Sequence, residues 1–183
     1  MGAMLRRSAR IALVVALVLP LAACVEGARI PDAQPSSSVA PLFASDEEAL
    51  AAATAAYEEY LAVLDGALQE PLTVEPSFEK VAEGQARDSA LESIREFVRE
   101  GLRISGPRVV GNVDLQQWSS HGDAEVTAYF CEDISGVLLL NANGDSLTEG
   151  DRPDYTVFEA TVAFVGDQGL VVEREFWSNE ESC

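Results

Sequence analysis

The chain has little positive charge and almost no histidine. One histidine (His121), one lysine (Lys80) and eleven arginines stand against thirty-one Asp and Glu, for a formal net charge of −19 over 183 residues. Nucleic acid and anionic lipid headgroups are repelled by so acidic a body, which argues against polyanionic partners and for a soluble, non-sticky domain. His121 lies in Ser119-Ser120-His121-Gly122-Asp123, a polar turn that keeps it in water. With no second histidine, no Ser/His/Asp set and no nucleophile with a recognisable base can be assembled. Metal ligands are equally scarce. Asn141, Asn143 and Asp145 alternate as calcium ligands do, but the twelfth position counted from Asn141 is Arg152, where a bidentate glutamate is needed, and Gly144 is not at the sixth. A hairpin turn at Asn143-Gly144 accounts for the same residues, and Glu149, Asp151 and Asp154 make at most a weak, millimolar-type calcium cluster. No catalytic residue, metal or cofactor is therefore expected. Nor is there an apolar run of the roughly 20 residues that a bilayer core requires.

What the N-terminus does hold is ordered. Arg6, Arg7 and Arg10 precede the apolar run Ile11 to Ala23, which ends at Leu21-Ala22-Ala23-Cys24. A basic segment, an apolar segment and small residues at a cut site are the layout of a secretory signal. Leu-Ala-Ala-Cys in this position resembles the lipobox of bacterial lipoproteins. The resemblance implies removal of residues 1–23, a diacylglycerol on the Cys24 sulfur and a new N-terminus at Cys24, and two acyl chains give stable attachment where one is marginal. The expected location is the extracytoplasmic face of the cell membrane. Cleavage would leave nine basic against thirty-one acidic residues, a formal charge of −22.

Two cysteines then remain, Cys131 and Cys183, in an oxidising compartment, and they are expected to form a disulfide. Residues 24–41 carry Pro31, Pro35, Pro41 and Ser36-Ser37-Ser38 with few bulky apolar side chains, so they read as a flexible tether. Residues 42–183 are the size of one domain.

Helical periodicity fills the first half of that domain. Ser45 with Glu48 three residues on is a capping box, and Leu50, Ala53, Tyr57, Tyr60, Leu61, Leu64 and Leu68 recur at helical steps until Pro71. A short second helix is expected after Pro76, burying Phe78 and Val81 and stopping at Gly84. A third runs from about Ala86 to Glu100, with Leu91, Ile94, Phe97 and Val98 as its apolar stripe and Gly101 as its left-handed cap. Its outer face mixes glutamates with arginines and is solvated.

After Gly106-Pro107 the period changes to two. Val109 to Trp118 and Ala124 to Cys131 read as one strand pair, Tyr155 to Val165 and Leu170 to Ser178 as another, with Val137 to Leu140 a short strand between them. A four-residue turn over Gly166 to Gly169 would set Phe158 opposite Trp177, and Glu159 diagonal to Arg174 as a structural tie. Helices followed by strands indicate an α+β fold, N-terminal helices packed on a curved antiparallel sheet.

This layout resembles the nuclear transport factor 2-like (SnoaL-like) superfamily, and within it the small secreted lipoproteins of actinobacteria. The likeness spans Asp46 to Cys183. It rests on the long first helix, the Arg87 to Gly101 helix running into Leu102-Arg103-Ile104-Ser105-Gly106, the strand Glu125 to Asp133, and a last strand ending near Trp177. It implies a cone of sheet around a helix, often with a pocket at its open end, and it implies no one activity, because the fold hosts many.

The residues that would line such a pocket are Tyr57, Tyr60, Phe97, Phe158, Glu159 and Trp177. The expected function is a membrane-anchored, non-catalytic binding or interaction module at the cell envelope, its partner an envelope protein or a small apolar molecule. The alternatives are a SnoaL-like enzyme acting on a small hydrophobic molecule and a phage-encoded or structural surface lipoprotein. With so acidic a surface, an uncharged or cationic ligand is favoured over an anion.

Overall fold

Capping decides where the first helix begins. In the computed structural model, which describes residues 41–70, 77–120, 122–178 and 183, the Glu48 N–H donates to Ser45 Oγ at 3.3 Å and the Ala44 N–H donates to Glu48 Oε2 at 2.8 Å. Helix α1 follows as Asp46–Gln69, with three carboxylates in its first turn where the helix dipole favours them. Ala53, Tyr57, Tyr60, Leu61, Leu64 and Leu68 form its buried face. The leader, Cys24, Pro71, Pro76 and His121 lie outside the described residues. Helix α2, Gly84–Glu100, ends at Gly101, whose φ of 66° is the left-handed cap read from the sequence. No helix among the described residues is long and apolar enough to cross a membrane.

Residues 77–83 form no helix. Phe78 and Val81 are buried as expected, but a tight turn buries them: the N–H groups of Val81 and Ala82 both donate to the Phe78 carbonyl, at 2.9 and 2.8 Å. The chain then meets the sheet instead of coiling further, since the Val171 N–H donates to the Val81 carbonyl and the Glu83 N–H to the Val171 carbonyl.

The six strands are β1 Arg103–Ser105, β2 Val109–Ser119, β3 Ala124–Asp133, β4 Leu138–Leu140, β5 Tyr155–Val165 and β6 Gln168–Ser178. All pairings are antiparallel: β2-β3-β5-β6 make the main sheet, and β4 pairs with β1, a strand too short to be read from periodicity. Helices lie N-terminal to strands, so the α+β expectation is met.

The register of the last hairpin differs from the expected one. Its turn is Gly166-Asp167 alone, because Val165 already pairs with Gln168. Two irregularities in β6 then shift the pairing, at Val172 and at Trp177, so Phe158 faces Phe176, Glu159 faces Glu175 and Arg174 faces Ala160. The expected Phe158–Trp177 and Glu159–Arg174 neighbours are therefore not formed. A bulge inserts one residue on one side of a ladder and re-aims everything beyond it.

One face of the sheet packs on α1. Val126, Ala128 and Phe130 of β3 and Ala160 and Val162 of β5 are all at most 1 % exposed. The Phe130 ring stacks on Tyr57 at 4.0 Å, and burying each large side chain of this kind contributes about 1.5–3 kcal/mol. Helix and strand approach closely at Gly169, where a Cβ would fall 2.6 Å from Ala56 Cβ. The β6 margin of the sheet is covered by the chain before and at the start of α2. There the Gln85 carboxamide accepts from the Arg174 N–H at 2.9 Å and donates to the Arg174 carbonyl at 3.3 Å. On the opposite face Cys131 is bonded to Cys183, with Cα atoms 5.7 Å apart, as the cysteine count implied.

Candidate functional site

The interior between α1 and the sheet is not wholly apolar. Glu132 stands on β3 in the same alternating phase as Val126, Ala128 and Phe130, which points its carboxylate into the core at 0 % exposure. Tyr57, one face of α1 away, donates its hydroxyl to Glu132 Oε1 at 2.6 Å. The bulge at Val172 turns Arg174 inward, where its Nε donates to the Tyr57 oxygen at 2.7 Å and its terminal nitrogen to Glu132 Oε1 at 2.6 Å. The guanidinium carbon of Arg174 also lies 3.3 Å from the centre of the Phe158 ring, a cation–π contact away from water.

A second pair adjoins the first. Asp65 of α1 accepts from the Arg108 backbone N–H at 2.8 Å and from Arg108 Nε at 2.6 Å, and its Oδ1 also meets the Arg108 terminal nitrogen. The other Arg108 nitrogen stands 3.7 Å from Glu132 Oε2, an oxygen with no hydrogen-bond partner among the described residues. Two carboxylates thus face two guanidiniums, all four nearly shut off from solvent. Burial raises the Tyr57 phenol well above the usual tyrosine value, with Arg174 opposing and Glu132 reinforcing the shift. Burial also raises Tyr60. For Arg174 burial works against the charge, and its partners Tyr57 and Glu132, the latter also bonded to the guanidinium, outweigh it, so its pKa rises. Tyr57 therefore stays protonated and Arg174 cationic across the ordinary pH range.

The six pocket residues are divided by the sheet. Tyr57 and Tyr60 are core, with rings 6.0 Å apart. Phe158 joins them under Arg174, and Phe97 of α2 is half-buried against the same core. Glu159 and Trp177 belong to the opposite face, where Glu159 is paired with Tyr129 and Trp177 lies against the Tyr129 ring at 4.8 Å. The sequence reading missed Asp65, Arg108 and Glu132, and it tied Arg174 to Glu159 where the structure gives it Tyr57 and Glu132. Glu132 carried a usable signal, a carboxylate in the buried phase of a strand, and Asp65 falls four residues after Leu61 on the buried stripe of α1. Arg174 carried none, since the bulges set its side.

Among the described residues the surface carries several shallow concavities, one of them about 210 Å³ beside Trp118, Glu125 and Thr127. A groove of about 420 Å³ runs between the C-terminal half of α1 and the start of β2, walled by Leu61, Ala62, Gly66, Pro107, Val109 and Val110, with Glu58, Gln69 and the mutually bonded Asp65 and Arg108 as its polar residues. A smaller hollow of about 230 Å³ lies on the outer face of the sheet beside Tyr129, Trp177 and the disulfide. Among the described residues no group of three metal-ligating side chains converges.

No family model and no curated protein matches the sequence. Among solved structures the chain is similar to the intermembrane space region of the chloroplast protein ARC6, at 13 % identity and a TM-score of 0.50 over 70 % of this chain and 96 % of that one. At that identity the likeness concerns the fold alone.

Proposed function

We propose that this chain is a lipid-anchored, extracytoplasmic, non-catalytic binding module that takes up a small apolar molecule in the groove between α1 and β2. The order of long helix, second helix and four-stranded antiparallel sheet supports placing it with the nuclear transport factor 2-like superfamily. The observation that carries the non-catalytic reading is the closed polar centre. An acid–base pair must reach a substrate and exchange a proton near ambient pH, whereas Tyr57 and Glu132 are buried, bonded to each other, and held by Arg174. The centre orders the core.

The groove supports the binding half. Its volume falls in the range of small-molecule sites, about 300–1,000 Å³, and its Asp65–Arg108 pair is internally satisfied, which leaves mainly apolar walls, with Glu58 and Gln69 as the remaining polar residues. Gly66 sits in its wall with nothing within 4 Å of where a Cβ would stand. A helical glycine costs about 1 kcal/mol against alanine, so the room it leaves comes at the expense of stability.

Thermal shift against a panel of uncharged lipophilic compounds tests this, comparing the wild type with Gly66→Leu, which fills the groove while improving the helix. Stabilisation by a compound that Gly66→Leu abolishes is the expected result. Turnover of any compound that is lost in Tyr57→Phe, with the fold intact, would overturn the reading. The anchor is tested by Cys24→Ala, which should release the protein from the membrane fraction or leave it unprocessed; unchanged processing and membrane attachment would reject the lipid.

A further inference from the structure

The face of the main sheet turned away from the helices is acidic and aromatic. Asp114, Tyr129, Glu159 and Glu175 stand in one cross-strand row over β2, β3, β5 and β6, each paired with the next. Glu173 lies in the neighbouring row and Glu125 in the one beyond it, and no paired position of this face is an arginine or lysine. The sheet's one basic strand residue, Arg174, is turned inward by the Val172 bulge, which leaves Glu173 and Glu175 outside. Like charges set directly opposite each other, as Glu159 and Glu175 are, destabilise a sheet. Such a row is tolerated at a cost that a cationic partner would relieve.

Beside the row the aromatic residues are exposed. Trp177 is 59 % exposed and leans on Tyr129 at an interplanar angle of 40°, bordering the 230 Å³ hollow together with Asn112, Asp114 and Ser178. The Ser178 hydroxyl oxygen finds no hydrogen-bond partner among the described residues. An indole face next to carboxylates is where a guanidinium or ammonium group gains both cation–π and charge attraction.

We propose that this face docks a basic segment of a partner polypeptide, one arginine or lysine stacking on Trp177 and others meeting the carboxylate row. The row crosses all four strands, about 14 Å at a strand spacing of about 4.8 Å, so it suits cations spaced along a chain better than one small cation. Anionic membranes and nucleic acid are repelled by the same charges. The inference rests on the reading that the domain works by binding, and not on the apolar groove.

The test uses the full mature lipoprotein in neutral detergent and a fluorescent peptide of alternating glycine and arginine. Binding is followed by anisotropy at about 0.15 M salt, where charges more than about 8 Å apart are screened. Glu159→Gln with Glu175→Gln is expected to weaken binding about tenfold, and Trp177→Ala about threefold or more. Glu59→Gln with Glu92→Gln, two exposed helix positions giving the same net charge, is expected to change it less than about twofold. Equal loss in both double variants would mean diffuse attraction to an acidic body and would overturn the proposal, as would an unchanged Trp177→Ala or no binding at all. Compounds that still stabilise the wild type through the groove would then keep the binding-module reading while this face is rejected.

Discussion

Glu132 is the residue on which the interior turns, because two arginines depend on it. Breaking a buried ion pair by removing one partner leaves the other charge without compensation, at a cost of about 3–5 kcal/mol. Glu132→Gln keeps the shape but not the charge, and it should lower unfolding free energy in urea by an amount near the lower end of that range. Tyr57→Phe removes a hydroxyl that bridges Glu132 and Arg174, for which about 1–3 kcal/mol is expected. It also has a pH signature. The unfolded chain sheds the phenolic proton near the ordinary tyrosine value of 10.0 while the folded chain, its Tyr57 pKa raised by burial, retains it. Stability is therefore flat with respect to this group below that pH and falls above it. Denaturation series at neutral and alkaline pH should show a steeper alkaline fall in the wild type than in Tyr57→Phe, where Tyr60 still contributes. At this scale the sequence was half legible: helical periodicity placed Tyr57 and Tyr60 inside, and strand alternation marked Glu132, but a residue whose side is set by a bulge has no periodic signature.

Elements were more legible than their neighbours. Capping chemistry located the start of α1 and the end of α2 because both depend on residues a few positions apart. The turn at residues 77–83 was misread as helix because burial of Phe78 and Val81 at a three-residue spacing is common to both, and contacts with Val171, ninety positions away, decide between them. The β6 register was misread for a similar reason. A two-residue turn followed by two bulges ends at the pairing that a four-residue turn would give, Val157 with Ser178, and only over Phe158 to Thr161 is the register off by one residue, which changes the face of the partner. Strand β1 owes its existence to β4 and is silent by itself. Within α1, Gly66→Ala should raise the thermal midpoint, adding about 0.5–1 kcal/mol, since the position is helical and the space beside it is open. A loss of stability would mean that the groove wall is occupied.

Taken whole, the domain is tied at its far end by a covalent bond. Cys131 and Cys183 are 52 positions apart, and closing a loop of that size removes chain entropy from the unfolded state worth about 4 kcal/mol at most. Intact mass should be lighter by two hydrogens before reduction than after, and Cys183→Ser should lower the denaturation midpoint. Two alkylatable thiols in the unreduced protein would contradict the bond. The cover along the β6 margin has a consequence for crowded solutions. An open strand edge is a template on which further chains can pair and polymerise, and at β6 the template is already occupied, its amide and carbonyl at Arg174 bonded by Gln85 and those at Val171 by the backbone of Val81 and Glu83. Gln85 thus occupies at Arg174 the positions that an added strand would need, and Gln85→Ala should bring faster thioflavin-positive aggregation than a surface variant of equal stability.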